Sequence, residues 1–196
     1  DKNKPHSDDK DVVNEWSSSL SQNTGVDAYT PFTGGWGISA YWKGFYLNAD
    51  FFFAIGKHMI SMDKQFYEND YFVRDKKDNF NGSRRLFDYW KQPGDKTEFP
   101  SLAWVRDPSH QSTYLDSKML ENASFMRLKN FTLGYELPRR MLGQQKIIRY
   151  AKVFFTGRNL LTFTKFRGID PEVNRNVSYG VNPNTKQMSV GVELGL

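Results

Sequence analysis

The 196-residue sequence predicts an all-β chain of about five two-faced antiparallel strands separated by long polar loops. Three observations predict this class. Apolar and polar residues alternate with period two in several stretches. Aromatic residues make up 16% of the chain, more than loop-rich polar sequence needs. A hydrophobic content of 38% and a mean hydropathy of −0.67 leave no run of roughly 20 apolar residues from which to build a membrane-crossing helix.

The first two strands, about 34–43 and 45–55, define their own register. With Lys43-Gly44 as a two-residue turn, Trp42 faces Phe45, Ala40 faces Leu47, Ile38 faces Ala49 and Trp36 faces Phe51, all apolar pairs. The other face pairs Tyr41 with Tyr46, Ser39 with Asn48 and Gly37 with Asp50. A slip of one residue destroys both faces. Either a soluble core or lipid satisfies the apolar side, and the pattern alone leaves both open.

The third strand, about 119–137, alternates Phe131, Leu133, Tyr135 and Leu137 with Asn130, Thr132, Gly134 and Glu136, and stops at Pro138, which has no N–H for a ladder. Phe125, Arg127 and Lys129 share the parity of Phe131, so the upstream half is expected to emerge into polar surroundings, with a bulge as the alternative. The fourth strand, about 148–164, sets Ala151, Val153 and Phe155 against Lys152, Thr156 and Arg158. Asn159 breaks its pattern, and a bulge is expected there. The last strand, about 187–196, alternates Val190, Val192, Leu194 and Leu196 with Ser189, Gly191, Glu193 and Gly195.

The connections separate a barrel from a sandwich. Outer-membrane barrels have short periplasmic turns and long extracellular loops. Counting back from a periplasmic C-terminus puts the loops at about 1–33, 56–116 and 165–186 outside, and the connections at 43–44 and 138–147 inside. This alternation of short and long connections is what a transmembrane barrel demands. Five strands enclose nothing, since a closed barrel takes about eight or more, so the chain is expected to be a piece of a larger barrel. Asp1 is neither an initiator Met nor the start of a signal sequence, and a mature or truncated piece is expected.

No constellation for bond chemistry emerges, and the chain is not expected to be an enzyme. His6, His58 and His110 lack metal-ligand spacing and are expected to be exposed loop residues, so no metal is proposed. No Ser sits in a nucleophile elbow, and Gly34-Gly35-Trp36-Gly37 opens a strand rather than a phosphate-binding helix. No cofactor is expected. The chain has no Cys and hence no disulfide framework. The net charge of +5 comes from Lys and Arg scattered among acids, which describes solvated loops and excludes a nucleic-acid footprint. Arg139 and Arg140 suit either anionic headgroups or a solvated turn. Lys152 and Arg158 would point into a lumen, where structural pairing is the favoured reading. The aromatics between Phe66 and Trp104 are expected to form the small core of a self-packed loop, and no substrate-binding residue is nominated from them.

Three motifs carry a resemblance: Glu121 to Pro138 (ENASFMRLKNFTLGYELP), Gly157 to Leu160 (GRNL) and Gly168 to Glu172 (GIDPE), followed by the alternating strand to Leu196. In this order they resemble the end of the SusC/RagA family of TonB-dependent transporters. Asp88 to Trp90 with Pro93, Phe99 and Pro100 is similar to that family's W-x-P…[FY]-P stretch, which reads as scaffold. Two departures stand: the family usually ends in Phe where Leu196 stands here, and Asp1 to His6 lacks the third acid and the Gly of the calcium-like run the family often carries.

The resemblance implies barrels of about 22 strands with a plug, of which this chain is the C-terminal wall, the plug lying outside it. It implies import across the bacterial outer membrane of glycans or oligopeptides, with a SusD-like surface lipoprotein, TonB acting through the plug, and lipid around the wall. The competing reading is a soluble β-sandwich that binds or adheres.

Overall fold

The computed structural model describes residues 21, 23–68, 82–99, 117–142 and 148–195. The chain divides into a sheet unit drawn from 27–58, 122–174 and 181–196 and a second unit drawn from 1–26, 59–121 and 175–180. The sheet unit holds five antiparallel strands in the order β1 (Phe32–Trp42), β2 (Phe45–Ile55), β5 (Phe125–Glu136), β6 (Tyr150–Thr164) and β8 (Gln187–Gly195). No helix among the described residues is long and apolar enough to cross a membrane.

The β1–β2 register is the one the apolar pairs dictate, from Trp42 opposite Phe45 to Trp36 opposite Phe51 and on to Phe32 opposite Ile55. Lys43 and Gly44 both have positive φ, 48° and 91°, the backbone of the hairpin turn whose twist matches its strands. Trp36 and Phe51 stack with ring centroids 4.3 Å apart. The pairing then extends each row across all five strands. One apolar row is Ala40, Leu47, Leu133, Phe155 and Val190, and the polar row beside it is Ser39, Asn48, Thr132, Thr156 and Ser189.

Midway up the sheet the ladder widens. Asp50 pairs with Asn130 but Phe51 with Leu128, leaving Lys129 unpaired, and on the other side Asn130 pairs with Arg158 but Leu128 with Leu161. Asn159, inside the wider insertion, has φ 53°, a left-handed conformation that Asn tolerates better than most residues, and its amide donates to the Thr185 carbonyl at 3.1 Å. The expected bulge at Asn159 is therefore present. The expected emergence of the upstream half of β5 is corrected: the extra residue at Lys129 switches faces, so Leu128 joins the apolar row of Phe51 and Leu161 while Arg127 pairs with Phe52 and Thr162 on the polar side. Phe125 and Arg127 are buried rather than emergent.

The stretch expected as one strand over 119–137 is two. At the break the Ser124 N–H donates to Asn122 Oδ1 at 2.9 Å, and the residues before it, β4 (Leu120–Asn122), belong to a second sheet. That sheet has the order β4, β3 (His58–Ser61), β7 (Val177–Ser178), with β3 and β7 parallel. Ser61 caps the short helix α1 (Met62–Tyr67) by accepting from Lys64 N, and Ser178 donates to Asp63 at 3.1 Å. Among the described residues of the second unit Met59, Leu86, Met119, Ser61, Ser178 and Glu121 are buried; of the aromatics expected to form its core, Phe87 is 75% exposed, Tyr67 and Trp90 are exposed, and Phe66, Tyr89 and Phe99 are half-buried. Tyr71, Phe72, Phe80 and Trp104 lie outside the described residues. Charge holds this unit too, with Lys64 within 4.0 Å of Glu68, Glu98 and Glu121, and Arg85 paired to both Glu68 and Glu98.

A Cβ on Gly44 would lie 2.8 Å from the Glu136 carbonyl oxygen, at a φ that side chains avoid. Gly44→Val is expected to lower stability by about 1–3 kcal/mol, read as a lower urea midpoint for the full-length protein; an unchanged midpoint would contradict this turn.

Candidate functional site: a polar wall and a buried arginine clasp

The polar face of the five-stranded sheet is lined by short hydrogen-bonding side chains, most of them exposed. Asn130 donates to Asp50 at 3.3 Å, and Thr156 and Ser189 hydroxyls share a hydrogen bond of 2.6 Å. In the same row as Asp50 stand Arg158 and Gln187. Toward the short-turn end the row Glu136, Lys152, Glu193 alternates charge, with the Lys152 ammonium 4.9 Å from the Tyr150 ring centroid and Tyr150 donating to Glu193 at 2.6 Å. Glycines on this face lie under rings: a Cβ on Gly134 would meet Tyr46 at 2.3 Å, and one on Gly191 would meet Phe154 at 2.5 Å. The result is a smooth wall of donors and acceptors, suited to a polar solute or a polar protein surface.

Above the bulge the same face carries a buried ion cluster. Arg127 is 4% exposed and Asp170 3%. The guanidinium donates to Asp170 at 2.6 and 3.3 Å, to Glu172 at 2.5 Å and, through Nε, to Thr162 at 2.9 Å. Lys129, the bulge residue, pairs with Glu172. Asp170 also accepts from the backbone N–H groups of Glu172, at 2.9 Å, and Asn184, at 2.8 Å. Lys57 completes the clasp by donating to the Pro171 and Val173 carbonyls, both at 2.6 Å. Burial acts to raise the Asp170 pKa, but the Arg127 bonds and the two backbone donors outweigh it and hold the carboxyl below its ordinary 3.8. Burial lowers the Lys57 pKa, an effect that Glu172 and Asp170 oppose.

Sequence reasoning missed this clasp although it quoted both halves, Arg127 in the first motif and Asp170 with Glu172 in the third. The available signal was a lone arginine at an apolar parity followed by two acids one residue apart in a downstream loop. Of the histidines, His58 is half-buried in β3, its Nδ1 3.0 Å from the Gly56 carbonyl oxygen, which corrects the expected exposed loop position; His6 and His110 lie outside the described residues, as do Asp1 to Asp11. No metal-holding group of three or more His, Cys, Asp or Glu occurs among the described residues.

No protein-family model matches the chain. Among curated proteins it is 29% identical over 126 residues to the TonB-dependent receptor P3 of Formosa agariphila, covering 58% of this chain and 12% of that receptor. It is 30% identical over 86 residues to the TonB-dependent receptor SusC of Bacteroides thetaiotaomicron, covering 44% of this chain and 9% of SusC. The structure of the RagAB peptide importer in its open-open state superposes with a TM-score of 0.78 at 37% identity, over 98% of this chain and 20% of the importer chain. The chain thus spans about one fifth or less of the proteins it matches. They are named as receptors and an importer.

Removing Arg127 takes its charge partner from the buried Asp170 carboxylate, so Arg127→Met is expected to cost about 3–5 kcal/mol and to expose the Glu172 and Asn184 amides to hydrogen exchange. The triple variant R127M/D170N/E172Q is expected to recover part of the loss; equal loss in both would show that the ion cluster is not the cause. Because the folded Asp170 pKa is depressed, the clasp's contribution is complete above the ordinary 3.8 and is lost only as pH falls through the lower folded value. Protection of those amides should stay level from neutral pH down to that range, and a loss near pH 6 would contradict the assignment.

Proposed function

This chain belongs with the SusC/RagA family of TonB-dependent receptors, and on that premise we propose that it forms adjacent C-terminal strands in the wall of an outer-membrane importer. The observation that carries this is the apolar face of the five-stranded sheet. Many of its large residues are open, among them Trp42 at 67%, Val190 at 75% and Phe163 at 54%. From Phe32 to Trp42 the face runs ten residue rises, about 34 Å along the strand, and at a barrel tilt of about 40° that spans about 26 Å, close to the apolar band of outer-membrane barrels. Polar side chains on the other face then look into a wet lumen. A soluble sandwich requires a second apolar layer over this face, and the exposure of these residues speaks against it.

In this reading the loops at 1–33, 56–116 and 165–186 are extracellular, and the short turns and C-terminus are periplasmic. The clasp holds Asp170, Glu172 and Asn184 at the extracellular end of the wall. A SusD-like surface lipoprotein delivers the cargo, and TonB acts through a plug beyond this chain. The RagAB relative makes oligopeptides the first cargo to try, with glycans, suggested by the likeness to SusC, as the second. The segment performs no bond chemistry.

Spin labels placed singly at positions 38, 39 and 40 of the full-length protein in bilayers are the test. Labels at Ile38→Cys and Ala40→Cys are expected to collide with oxygen and Ser39→Cys to resemble neither; low oxygen access at 38 and 40, as in a packed core, would overturn the wall reading. Uptake of labelled oligopeptides, lost on deletion of the gene and restored by its return, tests the cargo.

A further inference from the structure

The short-turn end of the wall carries a second feature, whose reading rests on the wall facing lipid. Two connections come together there, since the Glu136 N–H donates to the Gly44 carbonyl at 2.8 Å and the Leu137 N–H to the Ala151 carbonyl at 2.9 Å. Together they present four exposed cations, Lys43, Arg139, Arg140 and Arg149. Among the described residues none of the four is in an ion pair.

Two of them stand beside the apolar face. The Lys43 ammonium lies 4.9 Å from the ring centroid of Trp42, which belongs to the apolar face. Arg149 extends the β6–β8 ladder by donating its N–H to the Gly195 carbonyl at 2.7 Å, and by parity it falls on the same face as Ala151 and Val153. Arg139 and Arg140 occupy the single turn of 3-10 helix directly after Pro138. The carboxylates at this end, Glu136 and Glu193, stand instead in the polar-face row with Lys152, where Glu193 already accepts from Tyr150. Lys43 and Arg149 therefore border the apolar face, while Glu136 and Glu193 border the polar one.

We propose that these four residues form a basic girdle that binds the phosphate headgroups of anionic phospholipid in the leaflet adjoining the short turns. The chemistry fits: long side chains at the edge of an apolar band reach the interface with their charges in water, and guanidinium forks match phosphate oxygens in pairs. Each cation near such a surface is worth roughly a fivefold preference for anionic over zwitterionic lipid at moderate salt, so several together give at least about tenfold.

The test reconstitutes the full-length protein into vesicles of mixed phosphatidylglycerol and phosphatidylcholine and reads the retained lipid by native mass spectrometry. The unaltered protein is expected to enrich phosphatidylglycerol about tenfold, falling as salt rises. The variant K43Q/R139Q/R140Q/R149Q should lose that enrichment, and R139Q/R140Q alone, confined to an exposed turn, should lose a measurable part and guards against misfolding of the larger variant. Enrichment unchanged in both variants, or retention in proportion to the mixture by the unaltered protein, would overturn the girdle while leaving the wall intact. Failure to insert into any vesicle would remove the wall reading and the girdle with it.

Discussion

A guanidinium withdrawn from water needs an anion at hydrogen-bonding distance, and the buried charge of Arg127 ties the sheet to the chain that follows it. Two carboxylates meet that need, Asp170 and Glu172, and both come from the connection after β6. Once placed, Asp170 has further lone pairs to satisfy, which it does with the amides of Glu172 and Asn184, so one side chain gathers both stems of the 165–186 connection. Lys57 extends the arrangement to the segment leaving β2 by donating to the Pro171 and Val173 carbonyls. Buried pairs of this kind add little to stability over a well-packed apolar substitute, yet losing one partner is costly. Their contribution here is to define where the loop stems lie.

The clasp exists because of one inserted residue. Without Lys129 in excess, Arg127 would share the face of Phe131 and point to the apolar side, where no anion waits. The insertion turns it to the polar side and leaves Lys129 near Glu172, so the irregularity supplies a second cation as well as the change of face. Below it the sheet keeps two unlike surfaces, a greasy one and a hydrogen-bonding one, across all five strands. A single sheet with those surfaces belongs at a boundary between hydrocarbon and water, and that requirement joins the fold to the proposed place in an importer wall. At the short-turn end Lys43 and Arg149 stand beside the apolar face and the carboxylates of Glu136 and Glu193 beside the polar one.

Legibility differed by element for identifiable reasons. The β1–β2 hairpin could be read to the residue because its turn is two residues long and every cross-strand pair has to match in polarity, which leaves one register. The bulge at Asn159 was legible because an amide interrupts an apolar alternation. The switch at Lys129 was not, since Phe125, Arg127 and Lys129 keep the parity of Phe131 and a sequence does not show where a ladder loses step. The second, three-stranded sheet was also hidden: β3 has four residues and β7 two, too short for any period, and their parallel pairing joins positions more than a hundred residues apart. The buried apolar residues described in that unit are Met and Leu where the aromatics had drawn attention, because only packing decides which of several apolar side chains is covered.

By itself, then, the sequence determined the strand class, the two-faced alternation and the hairpin register, all of which follow from local periodicity and turn chemistry, and its motifs carried the likeness to an outer-membrane transporter family. Only the tertiary structure decided which face each residue beyond the bulge takes and that Arg127, Asp170 and Glu172 meet. Those facts depend on the cumulative register of three neighbouring strands and on a loop closing over some forty residues, and no local pattern encodes a sum over distant pairings.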